Sequence, residues 1–511
     1  MANLFDPVRR HADSHPDTVA IRGESSVPGG YTAWTYHQLR SASINYATIL
    51  IGSGLRVGDR VLLIAPSVPE FVVAYMGIQV AGAVVVPVNT MSTRAEVEYV
   101  LNDAKCALVI AWYGLGPAAS SAANACGVPV RTLGLGADSG PASTEVRDRD
   151  PEDTAAILYT SGTTGRPKGA QLTVRNLLSA GEIGVACSRS TRTDRTGTAL
   201  PLFHVFGQAS VMMTTFTAGG SLSLLSRFDA AAMTAMLRRD RLTVLAGVPT
   251  MWNAMLHAAD DTDPADFAQL RIAISGGASL PAAVTQQFEA RFGCTILEGY
   301  GLTETTAFGT FTDIDRGPKV GSVGSPTPLT RIEVRDEAGD PCPPSTVGEI
   351  FIRGATVMKG YWERPSDTAA VLDADGWLRT GDLGTTDADG DLRIVDRAKD
   401  LIIRGGYNVY PSEVEETLFA HPDIIEVAVI GIPDDHYGEE VATVVVRHPA
   451  STLSADDVST WARERLSAYK IPRVIQFVDT LPKGATGKIL KRSIDRASLA
   501  QAASDKRREI P

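Results

Sequence analysis

Residues 159–169 read Tyr-Thr-Ser-Gly-Thr-Thr-Gly-Arg-Pro-Lys-Gly and place three glycines, four Ser/Thr hydroxyls and Lys168 in eleven positions. The apolar run AAIL directly precedes them. Glycines let backbone N–H groups turn toward an anion, hydroxyls add donors, and the lysine adds charge, so the segment suits a phosphate-binding loop. The order of residues from Gly162 gives no GxxxxGK[ST] match, which excludes a Walker A loop and disfavours a nucleotide kinase. A second candidate is Lys488, in a loop flanked by Gly484 and Gly487 that could reach into the cleft of another domain. Taken alone, Lys488 reads as a solvated surface lysine, and His204 in the apolar run Leu202-Phe-His-Val-Phe206 reads as a packed core residue.

The elements that must position these residues follow from periodicity. Short β-branched runs (60–66, 106–112, 221–226, 242–247, 270–277) alternate with helical stretches such as 230–241, the pattern of parallel sheets with helices on their faces. Phe71 to Val88 is apolar for 18 residues with Gln79 as its one strongly polar member. Gly77, Gly82 and Pro87 punctuate it, so it reads as a buried helix ending near Gly82 and then a buried strand, not a membrane span. After about residue 320 hairpin signals appear, at Asp336–Gly339 and at Asp389-Gly390, and imply antiparallel structure that closes the large domain. Beyond Asp400 the pattern is a compact α+β unit, with Ser412 and Glu415 spaced as a capping box and a helix expected over 454–468. The charged run DRAKD sets the expected domains at 1–398 and 399–511.

Composition bounds the function. The 511 residues carry 48 Lys+Arg and 59 Asp+Glu, a net charge of −11, with 44% hydrophobic residues. That is a globular chain, and a pI near 5.3 argues against a protein built to hold nucleic acid. The charge is uneven: residues 461–511 hold 12 basic and 5 acidic residues, a net of +7, so residues 1–460 carry −18. Five widely separated cysteines with no CxxC pair read as reduced thiols. The N-terminus has no apolar signal segment, which points to a cytoplasmic protein.

Taken together, five motifs resemble the adenylate-forming superfamily of acyl- and aryl-CoA synthetases, adenylation domains and luciferase. They are the loop 159–169, Gly299-Tyr-Gly-Leu-Thr-Glu-Thr305, Gly376–Gly384, Asp396–Asp400 with Arg404–Pro411, and Pro482–Lys488. Leu202–Phe206 and Ser275–Ala278 interleave in family order, so the resemblance covers nearly the whole chain. It implies an α/β fold with a large N-terminal domain of stacked α/β sheets and a β-barrel-like part, followed by a small mobile α+β domain. It implies ATP, Mg2+ and CoA as cofactors and co-substrates: a carboxylate is adenylated, then passed to a thiol. Thr160, Ser161, Gly162, Thr163, Thr164, Gly165 and Lys168 would cradle phosphates. Gly276, Gly277, Ala278, Gly299, Tyr300 and Gly301 would surround adenine, and Thr303 would meet the α-phosphate. Glu304 would hold Mg2+, Asp382 the ribose hydroxyls with Arg397 beside it, and Lys488 would bridge carboxylate and phosphate. His204, Phe203 and Val248 would line the acyl pocket. Lys399 would be the hinge about which the small domain swings, exchanging the lysine loop for Gly405-Gly406.

The substrate expected is an apolar acid, a fatty acid first and an aryl acid second. No acid lies between Leu202 and Thr217 to hold an α-ammonium, and no arginine can be placed in the pocket for a second carboxylate, although a dicarboxylate ligase stays open. An acyl-AMP ligase that loads an acyl carrier protein is the alternative acceptor reading; the short 305–397 segment favours CoA. From the hinge expectation, Lys399→Pro should spare adenylation and block thioester formation; unchanged thioester kinetics would remove Lys399 from that role.

Overall fold

The computed structural model describes residues 2–24, 30–134, 145–160, 166–258, 264–434, 436–484 and 487–501. The β-branched runs form the centres of two sheets. In the seven-stranded sheet, Cys106–Trp112, Arg60–Ile64, Val84–Pro87 and Thr154–Thr160 run parallel, and Lys168–Thr173 and Gly360–Tyr361 close one edge antiparallel. In the nine-stranded sheet, Arg195–Thr198, Val244–Gly247, Ile272–Ser275 and Ile296–Tyr300 are successive parallel neighbours. Both sheets are covered on their faces, which is why their strands read as unbroken apolar runs.

The suspect segment divides as expected. Pro69–Val80 is a helix buried at every position, Gly82 ends it, and Val84–Pro87 is a buried strand. Among the described residues no helix is long and apolar enough to cross a membrane. One core joins the layers: Val61 and Leu63 of one sheet and Leu222 and Leu245 of the other belong to a single cluster with Phe71 and Tyr75 of that helix.

Strands Thr330–Arg335, Gly348–Gly354, Leu378–Thr386 and Leu392–Arg397 make a four-stranded antiparallel sheet. The Asp-Gly turn lies where the sequence signals it, and Lys319 Nζ ties it down at 2.9 Å from Asp387, 2.7 Å from Asp389 and 2.7 Å from Asp391. That register sets Asp382 opposite Arg397. A turn over Ala398–Asp400 then leads to Ile402–Arg404, the first strand of the small domain's five-stranded sheet. Two apolar clusters of its own, around Val429 and Ile430, give the small domain an independent core.

Two local expectations change. The helix Pro411–Phe419 has no Ser412–Glu415 capping box; Asp396 Oδ2 accepts the Ser412 N–H at 2.8 Å instead. Glu415 turns inward, where its carboxylate accepts the Val429 N–H at 2.7 Å. Asp396, from the end of the strand Leu392–Arg397, thus takes the place that the Glu415 carboxylate would hold in a capping box. The later helix is shorter than expected, Ala455–Arg463, and it does carry a capping box, Ser454 with Asp457.

Arg404 and Glu440 form a bidentate pair at 2.5 and 2.8 Å inside the small domain. Arg404→Met would remove the cationic partner of a buried carboxylate, a loss of about 3–5 kcal/mol. The small domain's thermal transition should therefore fall in calorimetry; an unchanged transition would show that Glu440 is held adequately by its other contacts.

Candidate active site

The segment 159–169 starts and ends on two antiparallel strands whose last described pair is Thr160 opposite Lys168; Ser161 to Gly165 lie outside the described residues. Thr160 Oγ1 donates to Glu304 Oε1 at 3.4 Å, and Tyr361 OH donates to the same oxygen at 2.9 Å. Burial and the Glu304 carboxylate raise the Tyr361 phenol, so it stays a donor. Lys168 Nζ lies 2.5 Å from Asp367 and 5.4 Å from the centre of the Tyr361 ring. The loop's mouth therefore holds one carboxylate and one ammonium, each oriented by a second residue.

The segment 299–305 leaves the end of the nine-stranded sheet and joins Thr160 and Tyr361 to Asp382 and Arg397. Tyr300 OH donates to Asp382 Oδ2 at 2.6 Å, and Arg397 Nε lies 3.4 Å from Asp382 Oδ1. Burial, then the Asp382 charge, holds the Tyr300 phenol well above its ordinary range. Glu304 follows in a single 3-10 turn, Thr303–Thr305, so one short segment contacts both Asp382, through Tyr300, and Tyr361, through Glu304.

Lys488 reaches the same place from the small domain. Gly487 O accepts from Thr250 Oγ1 at 3.2 Å, and a Cβ on Gly487 would sit 2.8 Å from that oxygen. Its φ of +81° adds a second reason for glycine there. Burial, then the Arg397 guanidinium, lowers the Lys488 ammonium to about 8, with Asp382 and Asp400 acting in the opposite sense. Asn253 Nδ2 to Ile425 O at 3.3 Å seats the rest of the small domain on the helix Pro249–His257.

His204 faces the lysine. Burial, then the Lys488 charge, lowers its pKa to about 4, so the ring is neutral. Its Nδ1 accepts the Phe206 N–H at 3.3 Å, which leaves the proton on Nε2. A π-helix over Phe206–Met213 continues from this point, and the fully buried Gln208 pins it through Tyr75 OH at 3.0 Å and Leu202 O at 3.2 Å. The Phe206 ring packs at Gly276, beside the Gly299 carbonyl, and Val248 lies between Gly277 and Gly487. Phe203 is half-buried, and Gly277 and Ala278 are exposed.

The fold thus gathers Thr160, Lys168, Glu304 and Tyr300, with Asp382, Arg397, His204 and Lys488, from segments far apart in the chain. It does not bring Gly405 and Gly406 to them. These form the exposed tip of a hairpin between Ile402–Arg404 and Tyr407–Val409, at φ +57° and +83°, as a type I′ turn requires. The Gly405 N–H donates to Tyr437 O at 2.8 Å. Lys399 is exposed in the connecting turn. Sequence reasoning missed Tyr361, Asp367 and Thr250. Each acts by orienting another residue, and only the cluster Gly360–Asp367, rich in aromatic and charged residues, carries any signal.

A family model described as "AMP-binding enzyme" matches residues 8–362, and one described as "AMP-binding enzyme C-terminal domain" matches 413–488. The chain is 38% identical over 496 residues to a feruloyl-CoA synthase of Amycolatopsis sp, covering 96% of this chain and 98% of that protein. It is 35% identical over 501 residues to a long-chain-fatty-acid–CoA ligase of Bacillus subtilis (strain 168), covering 90% and 89%. Among solved structures, ATP-bound MatB from Rhodopseudomonas palustris superimposes with a TM-score of 0.89 at 34% identity, over 99% of this chain and 100% of that one. The apo form of the same protein gives 0.80. A family model spanning most of the chain, and relatives matched nearly end to end, agree with a cleft in which Lys488 meets Asp382 and Arg397: this chain belongs to the AMP-binding enzyme family, the adenylate-forming superfamily that includes the acyl-CoA synthetases.

Proposed function

We propose that this protein is an AMP-forming carboxylate–CoA ligase for an apolar monocarboxylic acid, acting in the cytoplasm. The observation that carries the reading is Lys488, seated in the large domain's cleft with its loop against Thr250 and its charge among Arg397, Asp382 and His204. The acid's carboxylate attacks the α-phosphorus of ATP, pyrophosphate leaves, and the acyl-AMP formed is then attacked by the CoA thiol with release of AMP. An anion must approach an anion in the first step, so positive charge in a dry cleft is the main requirement. Lys488 and Arg397 supply it, and the higher likeness to the ATP-bound relative than to its apo form fits a small domain placed for adenylation.

Thr160, Lys168 and the described flanks of the loop receive the β- and γ-phosphates, and Tyr300 and Asp382 face the nucleoside. The residues also fit Mg2+. Glu304 is a single, oriented carboxylate, and among the described residues no group of three or more His, Cys, Asp or Glu forms a metal cage. Mg2+ suits such a site because it keeps water and phosphate oxygens as its other ligands. When bound, it neutralises phosphate charge; Thr160 and Tyr361 keep the Glu304 oxygen aimed at it.

The pocket favours an apolar acid. Phe206, Val248 and Gly276 line the approach, and the His204 ring beside them is neutral. Fatty acids are the first choice; the likeness to a feruloyl-CoA synthase favours aryl acids as the second. We place the domain boundary at 398/399, with Lys399 as hinge and Gly405-Gly406 as the turn that enters when the lysine loop leaves.

A panel of fatty, aryl and dicarboxylic acids with ATP, with and without CoA, read by mass spectrometry, tests this directly. Acyl-CoA from monocarboxylic acids is expected. Acyl-AMP that accumulates despite CoA would favour a carrier-protein acceptor, and no turnover of any acid would end the enzyme reading.

Lys488→Ala should lower pyrophosphate release on the order of 10²–10³-fold while supplied acyl-AMP is still converted to thioester. The pH dependence has a defined sign: the Lys488 cation is present below about 8 and lost above it. Adenylation kcat/KM, which reports the free enzyme, should therefore fall as pH rises through about 8, and that limb should vanish in Lys488→Ala.

A further inference from the structure

Lys491 closes the loop that carries Lys488 and opens a 3-10 turn, Lys491–Ser493. Its Nζ lies 2.7 Å from Glu415 Oε1, the oxygen that also accepts the Val429 N–H. Glu415 projects from the helix Pro411–Phe419, whose first turn is capped by Asp396. Asp396 precedes Arg397 on the strand Leu392–Arg397, so a line of contacts runs from the strand that faces Asp382, through the helix and Glu415, to Lys491 and the catalytic loop.

We propose that Glu415 is a positioning residue for adenylation, acting through Lys491 to fix how deeply Lys488 enters the cleft. The inference rests on the reading of Lys488 as the adenylating cation. Two physical arguments support it. A carboxylate–ammonium pair whose two side chains stay partly exposed contributes little net stability, so its use lies more in fixing geometry than in holding the domain together. Lys491 also adds positive charge next to Lys488 and Arg397, and Glu415 neutralises it there. The charged groups around the pair are Asp396 on the Glu415 side, and Arg397, Asp382, Asp400 and neutral His204 around Lys488.

The test uses the full-length enzyme with the half-reactions read separately: pyrophosphate release from acid plus ATP, and thioester formation from supplied acyl-AMP plus CoA. Glu415→Gln and Lys491→Gln should each lower adenylation kcat on the order of 10–10²-fold, with KM values and the thioester half-reaction unchanged, because a small misplacement of a reacting group is enough. Lys491→Arg should restore most of the rate. The alkaline limb of adenylation kcat/KM should move down in Glu415→Gln, where Lys491 is left uncompensated, and up in Lys491→Gln, where its repulsion of Lys488 is gone. A merely structural brace would lower both half-reactions equally and move neither limb, and that outcome overturns the proposal. Wild-type adenylation in Glu415→Gln beside an inactive Lys488→Ala also overturns it while sparing the reading of Lys488; an active Lys488→Ala overturns both. Should Glu415→Gln not fold, Lys491→Gln and Lys491→Arg decide by the same criteria.

Discussion

The Lys488 ammonium and the Arg397 guanidinium lie near one another where the small domain meets the large one, with the carboxylates Asp382 and Asp400 acting in the opposite sense. Desolvation, and then the nearby guanidinium, lower the lysine's pKa to about 8, and the repulsion between the two cations persists until an anion arrives. The same arrangement is electrostatically prepared for a transition state in which a carboxylate meets a phosphate. Much of the surrounding structure serves to hold this charge in place. Tyr300 and Arg397 fix Asp382, and Asp382 sits opposite Arg397 because the Asp-Gly hairpin sets that register. Thr250 and Gly487 admit the loop to the cleft.

Each contributor comes from an element with its own local reason to form. The parallel strand Ile296–Tyr300 is buried on both faces and delivers Tyr300 and then Glu304 at its carboxyl end, where open α/β sheets bind ligands. The lysine comes from a domain with a separate core, so it can be withdrawn without unfolding the cleft. That independence explains the charge distribution. The chain's net of −11 misrepresents its partners, since the +7 of residues 461–511 rides on the domain that delivers Lys488. Part of that positive charge is committed within the small domain: Lys470 binds Glu413 at 2.6 Å, and Arg465 lies over the Trp461 ring.

The sequence by itself determined the layers, through β-branched runs, and marked the loop 159–169, Lys488, Glu304 and Asp382 as site candidates, through glycine and hydroxyl density or motifs of contiguous residues. It also resolved Phe71–Val88 correctly, since Gly82 and Pro87 mark the break. Tertiary structure alone decided which residues orient those groups. Tyr361 and Asp367 act on Glu304 and Lys168 across more than fifty residues of chain, and Asp396 displaced the expected Ser412–Glu415 cap from a neighbouring strand. It also decided which loop of the small domain meets the large one: the Lys488 loop lies against Thr250, and Gly405-Gly406 form an exposed hairpin tip, although both motifs are equally legible in sequence. The physical reason is range. Backbone preference and hydrophobic period act over a few residues, whereas burial, pairing of charges and the seating of one domain on another depend on distances that only the folded chain defines.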